Sequence, residues 1–183
     1  MSKIKNIALI AFILPLLTGC GDNISSLNAA DFTVSDGTNT VILDSDFSEF
    51  IPPIPEKQSE NNYVGEEYSG DFVYKVFRHG YPDYALYVSN TNYNMKNRSF
   101  DEYYITQITF NNSNYQTARG IYIGSDADDV IKAYGNNGKH TKEDENSLVY
   151  QLDDKNIIFY MNEENTVESI ILSIVTNEQA EQP

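Results

Sequence analysis

Gly120-Ile121-Tyr122-Ile123-Gly124-Ser125-Asp126-Ala127-Asp128-Asp129-Val130-Ile131-Lys132-Ala133-Tyr134-Gly135 is the stretch that decides how this chain is read. Residues 120–124 alternate as a short strand between two glycines. Ser125 or Asp126 is a helix N-cap, because a short side-chain oxygen there can accept from the orphan amides of the first turn. Ala127, Val130, Ile131 and Tyr134 then fall at i, i+3, i+4 and i+7, which makes one apolar stripe. Gly135 ends the helix, as glycine does at low conformational cost. Downstream, 147–152, 156–161 and 166–174 read as three strands. Asp153-Asp154-Lys155 and Asn162-Glu163-Glu164-Asn165 are the turns between them.

The same order is legible 80 residues earlier. Val41-Ile42-Leu43-Asp44-Ser45-Asp46-Phe47-Ser48-Glu49-Phe50-Ile51 lies over Ile121 to Ile131, with coincident apolar positions and an identical Ser-Asp pair. Strands at 71–78, 84–88 and 102–110 come after it. The expected fold class is therefore α+β, with two similar units at 38–110 and 117–174. Each unit is a strand, a short helix and three strands, the helix packed on an antiparallel sheet. Pro52, Pro53 and Pro55 stop the first helix early. Residues 56–70 read as loop and 175–183 as a polar tail.

The motif Gly120-x-x-x-Gly124-Ser125-x-x-x-x-Val130-x-x-x-Tyr134-Gly135 resembles the strand–helix signature of small exported lipoproteins of Gram-positive bacteria. More distantly it is similar to the outer-membrane assembly lipoprotein (SmpA/OmlA) and β-lactamase-inhibitory-protein group. The resemblance covers residues 117–174 and, less closely, 40–110. It implies a helical segment against an antiparallel sheet, sometimes in tandem, in proteins that bind other proteins and are not enzymes. It carries no binding residues to this chain.

The amino terminus supplies an address. Lys3 and Lys5 precede an apolar run from Ile7 to Leu17, then Leu17-Thr18-Gly19-Cys20. A basic start, an apolar core and small residues at the break describe a secretory signal peptide. The run is short of the roughly 20 apolar residues that span a bilayer. The break looks like a lipobox, with cleavage before Cys20 and diacylglycerol joined to its sulfur. The expectation is a signal peptide at 1–19, a flexible tether at 20–37, and an exported protein held on the extracytoplasmic face of a membrane through Cys20. Cys20 is the one cysteine of the chain, so neither an internal disulfide nor a thiolate metal cluster is open to it.

The chain carries 12 basic and 27 acidic residues, a net charge of −15. Loss of residues 1–19 removes two lysines and no acid, which takes the charge to −17. Such a surface repels nucleic acid and anionic headgroups. It favours cations, basic proteins or uncharged polysaccharide as partners.

The chemistry expected is binding, with no cofactor, no metal and no catalytic residues. Asp44 and Asp46, or Asp126, Asp128 and Asp129, lack the EF-hand pattern. In a helix's first turn, acids are what the macrodipole favours, and Ser125 with Asp128 forms a partial capping box. His79, in a Gly-Pro turn, and His140, in a loop, are expected at the surface. The leading expectation is a non-enzymatic module presenting a sheet face or loops to a protein partner. The alternative is a polysaccharide-binding domain with tyrosine platforms, for which Tyr81, Tyr84, Tyr87, Tyr103 and Tyr104 are the candidates. A hydrolase with a carboxylate pair is the third reading.

Overall fold

In the computed structural model, the described residues form ten strands in two antiparallel sheets. The residues it describes are 25–50, 62–69, 72–90, 103–139 and 145–174. The expected signal peptide, Cys20, His140 and the 175–183 tail lie outside them. The strands are β1 (Thr33–Ser35), β2 (Thr40–Ile42), β3 (Tyr63–Ser69), β4 (Phe72–Gly80), β5 (Tyr84–Ser89), β6 (Tyr104–Phe110), β7 (Gln116–Thr117), β8 (Ser147–Leu152), β9 (Lys155–Met161) and β10 (Val167–Ile174). The helix α1 is Ala127–Tyr134.

The large sheet runs β3-β4-β5-β6-β10-β9-β8, and the small one β2-β1-β7. The expected division into two units is corrected by the middle of this order. β6 and β10 pair directly, with Phe110 opposite Ile170 and Ile108 opposite Leu172, so strands from both halves share one sheet. The expected α+β class is corrected as well. The chain is mostly β, with a single short α-helix among the described residues. The first stretch expected as helix makes only a 3-10 turn, Phe47–Glu49. The physical reason is local: proline at 52 and 53 biases Ile51 away from helical backbone and removes the donors of a following turn.

Two further stretches are strand where the sequence suggested none. β3 falls within 56–70, where Gly65-Glu66-Glu67 leaves no apolar alternation to read. Residues 25–35, expected as tether, fold into a 3-10 turn (Ala29–Phe32) and β1. Asn28 caps that turn: its side chain accepts from the Ala30 amide at 3.0 Å, and Asp31 accepts from the Asn28 amide at 2.8 Å. Residues 120–124 supply only an isolated bridge from Tyr122 to Gln116.

The hairpins are set by their turn residues. Asp153 (φ 51°) and Asn165 (φ 58°) take left-handed backbone, which Asp and Asn tolerate better than most. The Asn162 side chain accepts from the amides of Glu164 and Thr166, both at 3.0 Å, and closes the turn into β10.

Alternation along the strands, with a register shift in β6 between Ile105 and Gln107, sends Leu86, Ile105, Ile108, Phe110, Ile157, Phe159, Ile170 and Leu172 to one face, where all are fully buried. Phe32, Val34, Val41 and Leu43 from the small sheet and Val130 and Tyr134 from α1 close over this face in one core. Each large side chain so buried contributes about 1.5–3 kcal/mol. His79, expected at the surface, is inside this core: β4 runs through it to Gly80, and its ring lies 4.7 Å from that of Phe47.

The two Ser-Asp pairs perform one backbone task twice. Asp44 donates to the Ile105 carbonyl (2.8 Å), Ile105 to Ser45 (3.0 Å) and Phe47 to Tyr103 (2.7 Å). Gly124 donates to Val167 (2.8 Å), Val167 to Ser125 (2.9 Å) and Ala127 to Asn165 (3.0 Å). Each pair thereby ties the chain to the start of the strand, β6 or β10, that lies at the sheet's centre.

Candidate functional site

The described surface offers two places for recognition. They are the sheet face away from the core and a cleft at the end of α1.

Cross-strand register lays out the second face. One row runs Arg78, Tyr87, Gln107, Ser173, Asn156 and Gln151 across six strands. The adjacent row runs Ala85, Thr109, Ile171, Ile158 and Val149. Thr109, Ile171, Ile158 and Val149 are half-buried by their neighbours in the sheet. This is an apolar row beside a polar one, on a rigid platform. The small sheet and α1 both join the core on the other face.

The cleft has a volume of about 710 Å³. Its floor is Tyr134 and Tyr150, both buried, with rings 5.2 Å apart. One wall is the turn from Gly135 to Asn137, a second is the end of β8 from Val149 with Asp153 of the turn after it, and a third is Ser25–Leu27. The helix terminus is closed by the Tyr150 hydroxyl, which donates to the Gly135 carbonyl at 2.6 Å. Gly135 sits at φ 101°, where a Cβ would come within 2.9 Å of Asn137 Oδ1, so glycine is required there. Burial pushes the Tyr134 hydroxyl up to about 12 and also raises that of Tyr150.

Arg119 assembles the cleft's outer wall. It stands in the tight turn after β7, where the Gly120 amide donates to the Thr117 carbonyl at 2.9 Å. Nε meets Asp31 Oδ1 at 2.6 Å and Nη2 meets Asp31 Oδ2 at 2.8 Å. Nη1 donates to the carbonyls of Ser25 and Ala133, both at 2.9 Å, and Nη2 to that of Ser26 at 3.1 Å. Five N–H groups thus have five acceptors, the full donor capacity of a guanidinium. The group also lies 5.0 Å from the Tyr134 ring centroid, a cation–π arrangement. Burial alone would raise the Asp31 pKa; the Arg119 hydrogen bond and charge, with the Asn28 amide, outweigh it and hold the carboxyl below its usual range. The hydrogen bond to Asp31 likewise raises the Arg119 pKa.

The five tyrosines named from sequence do not form one platform. Tyr84 and Tyr103 are core residues, each 5% exposed. Tyr81 flanks Tyr84 at 4.9 Å with the rings tilted 33°. Tyr87 and Tyr104 are half-buried and fall on the second face. Tyr84 and Tyr115 pack edge-to-face at 5.0 Å, and burial raises both hydroxyls. Asp126 is the N-cap of α1 but makes no side-chain cap bond; the Ser125 hydroxyl instead accepts from the Tyr122 amide at 3.1 Å. Among the described residues no group of three His, Cys, Asp or Glu is placed to hold a metal. Sequence reasoning missed Arg119, Asp31 and the cleft's amides. The available signal was Asn28-x-x-Asp31, a capping pattern that marks residues 28–32 as folded.

No family model matches this chain, and no curated protein is similar to it. Among solved structures it is similar to the crystal structure of a cysteine-rich secretory protein from Staphylococcus aureus. Identity is 12%, over 64% of this chain and 40% of that one, with a TM-score of 0.42. This chain therefore spans about 40% of that protein's length.

Proposed function

We propose that this chain is an exported, non-enzymatic binding module, anchored by lipid at Cys20 to the extracytoplasmic face of a membrane, whose second sheet face docks a protein partner. The observation that carries the docking reading is the continuous row Ala85, Thr109, Ile171, Ile158 and Val149 beside Tyr87 and Arg78. Apolar and aromatic groups on a preorganised surface are what protein interfaces use at their centres. A net charge of −17 after signal removal favours a partner with a basic rim, by steering encounter. The lipobox-like Leu17-Thr18-Gly19-Cys20 supports the anchor, and acyl chains contribute about 0.8 kcal/mol per buried methylene.

Crosslinking on living cells followed by mass spectrometry tests this. The wild type is expected to stay with membranes and to crosslink a discrete protein. Ile171→Glu on the second face is expected to lose that crosslink and keep membrane retention. Cys20→Ala is expected to lose retention. Crosslinks unchanged by Ile171→Glu would remove the docking face from the account.

A further inference from the structure

We infer that the cleft at the end of α1 is a second binding site, adjoining the docking face along the β8 edge, and that it takes a neutral oligosaccharide. Its wall chemistry differs from that of the chain. Acids outnumber bases by fifteen over the whole sequence, yet the cleft is lined by one acid, Asp153, and one cation, Lys139. The remaining polar lining is uncharged. A wall without net charge gives no advantage to a cation or an anion.

The hydrogen-bonding groups match a polyol. Asn136, Asn137 and Gln151 each offer a carbonyl and an NH₂, so they can both donate to and accept from hydroxyls. The Asn136 and Asn137 side chains stand exposed on the helix-ending turn. Gln151 is held at one end by its Nε2, which donates to the Asp153 carbonyl at 3.0 Å, leaving its oxygen as acceptor. Leu152, half-buried in the same wall, supplies apolar surface for the C–H faces of a sugar ring. The volume of about 710 Å³ lies within the range of small-ligand sites, roughly 300–1,000 Å³.

The frame is rigid where the ligand would rest. Arg119 and Tyr150 already bind the carbonyls of Ala133 and Gly135. Two carbonyls at the helix end are thus already taken, one of them by a guanidinium that offsets the negative pole. Preorganised walls reduce the ordering cost of binding.

The third wall, Ser25–Leu27, locates the ligand. Ser25 is five residues beyond Cys20, and an extended chain covers at most about 3.6 Å per residue. If Cys20 is the anchor, as proposed, the cleft's edge is held within ~18 Å of the acylated sulfur. The sugar is then either the headgroup of a neutral glycolipid or a polysaccharide segment close to the bilayer.

The test uses the protein purified in detergent as its cell makes it. Maltotetraose and chitotetraose are the soluble probes, and vesicles of phosphatidylcholine with a neutral diglucosyl lipid are the membrane probe. Saturation-transfer NMR and calorimetry read binding. The inference expects binding to at least one probe, weakened about fivefold or more by Asn136→Ala or Asn137→Ala, in line with loss of one hydrogen bond of about 1 kcal/mol. Ile171→Glu, on the docking face, is expected to leave it unchanged. Binding to soluble sugar assigns a polysaccharide; binding to the vesicles alone assigns the glycolipid. No binding to any probe at millimolar concentration overturns the inference, as does binding that both cleft variants leave intact. Neither result depends on the protein crosslink, so the two proposals fail separately.

Discussion

The Asp31 carboxylate and the Arg119 guanidinium meet in a two-pronged ion pair, 88 residues apart in sequence, with contacts of 2.6 and 2.8 Å. Both side chains are largely withdrawn from solvent, at 6% and 12% exposure. The pair fastens the first folded turn of the chain to the end of α1 and to the cleft wall.

Removing one partner leaves a buried charge without its counterion. Arg119→Met is expected to destabilise the protein by about 3–5 kcal/mol. The double variant Asp31→Asn, Arg119→Met is expected to recover part of that loss, because the stranded charge is gone. Urea denaturation of the two variants against wild type measures the difference. Equal stability of Arg119→Met and wild type would remove the latch from the account.

The same pair predicts an acid transition. Asp31 has its pKa lowered from 3.8 in the folded state. A carboxyl depressed by folding contributes stability that is present above the unfolded value and lost as pH falls through the folded one. Denaturation midpoints are therefore expected to drop below pH 4, and Asp31→Asn is expected to flatten that drop. Asp36 has the same sign, held at about 2 by the Asn39 and Thr38 amides.

At alkaline pH the sign reverses. The Tyr134 hydroxyl is raised by burial to about 12, and those of Tyr84, Tyr115 and Tyr150 are raised too. An unfolded tyrosine ionises near 10, so above that pH the unfolded state loses protons first and stability falls. Absorbance at 295 nm is expected to show a group of tyrosines that ionise only as the fold opens. Titration of all 14 in one step near pH 10, with the fold intact, would contradict their burial.

Asp44 and Gly124 occupy equivalent places before the two Ser-Asp pairs, and both take left-handed backbone, at φ 68° and 99°. Gly124→Ala is expected to cost about 1–2 kcal/mol from Cβ crowding. Asp44→Gly relieves that crowding but breaks the 2.9 Å contact with Lys155, an exposed pair worth about 0–1 kcal/mol. Its net effect is expected within about 1 kcal/mol of zero. Thermal unfolding of both variants checks the contrast.

The stripe from Ala127 to Tyr134 and the strands from Ser147 to Ile174 were legible in the sequence, because periodicity and turn residues agreed there. The 80-residue offset pointed to equivalent backbone at Asp44 and Gly124. Helix formation, however, depends on the residues next along the chain, and the prolines at 52 and 53 halt the first copy. β3 was hidden because Tyr63 to Ser69 has no alternating apolar pattern and carries Glu66 and Glu67; an edge strand tolerates such charge. The shared sheet was not legible, since the pairing of β6 with β10 is a long-range choice of register. The cleft was invisible for the same reason. Its walls come from residues 25–27, 134–139 and 149–153, and Arg119 joins the first two through bonds that no local spacing encodes.

Everything about where this module acts rests on the sulfur of Cys20. Intact-mass analysis of the protein taken from its own membranes tests that most directly. The account predicts a chain that begins at Cys20 and carries added acyl mass; a chain that still begins at Met1, with the mass of its amino acids alone, would contradict it.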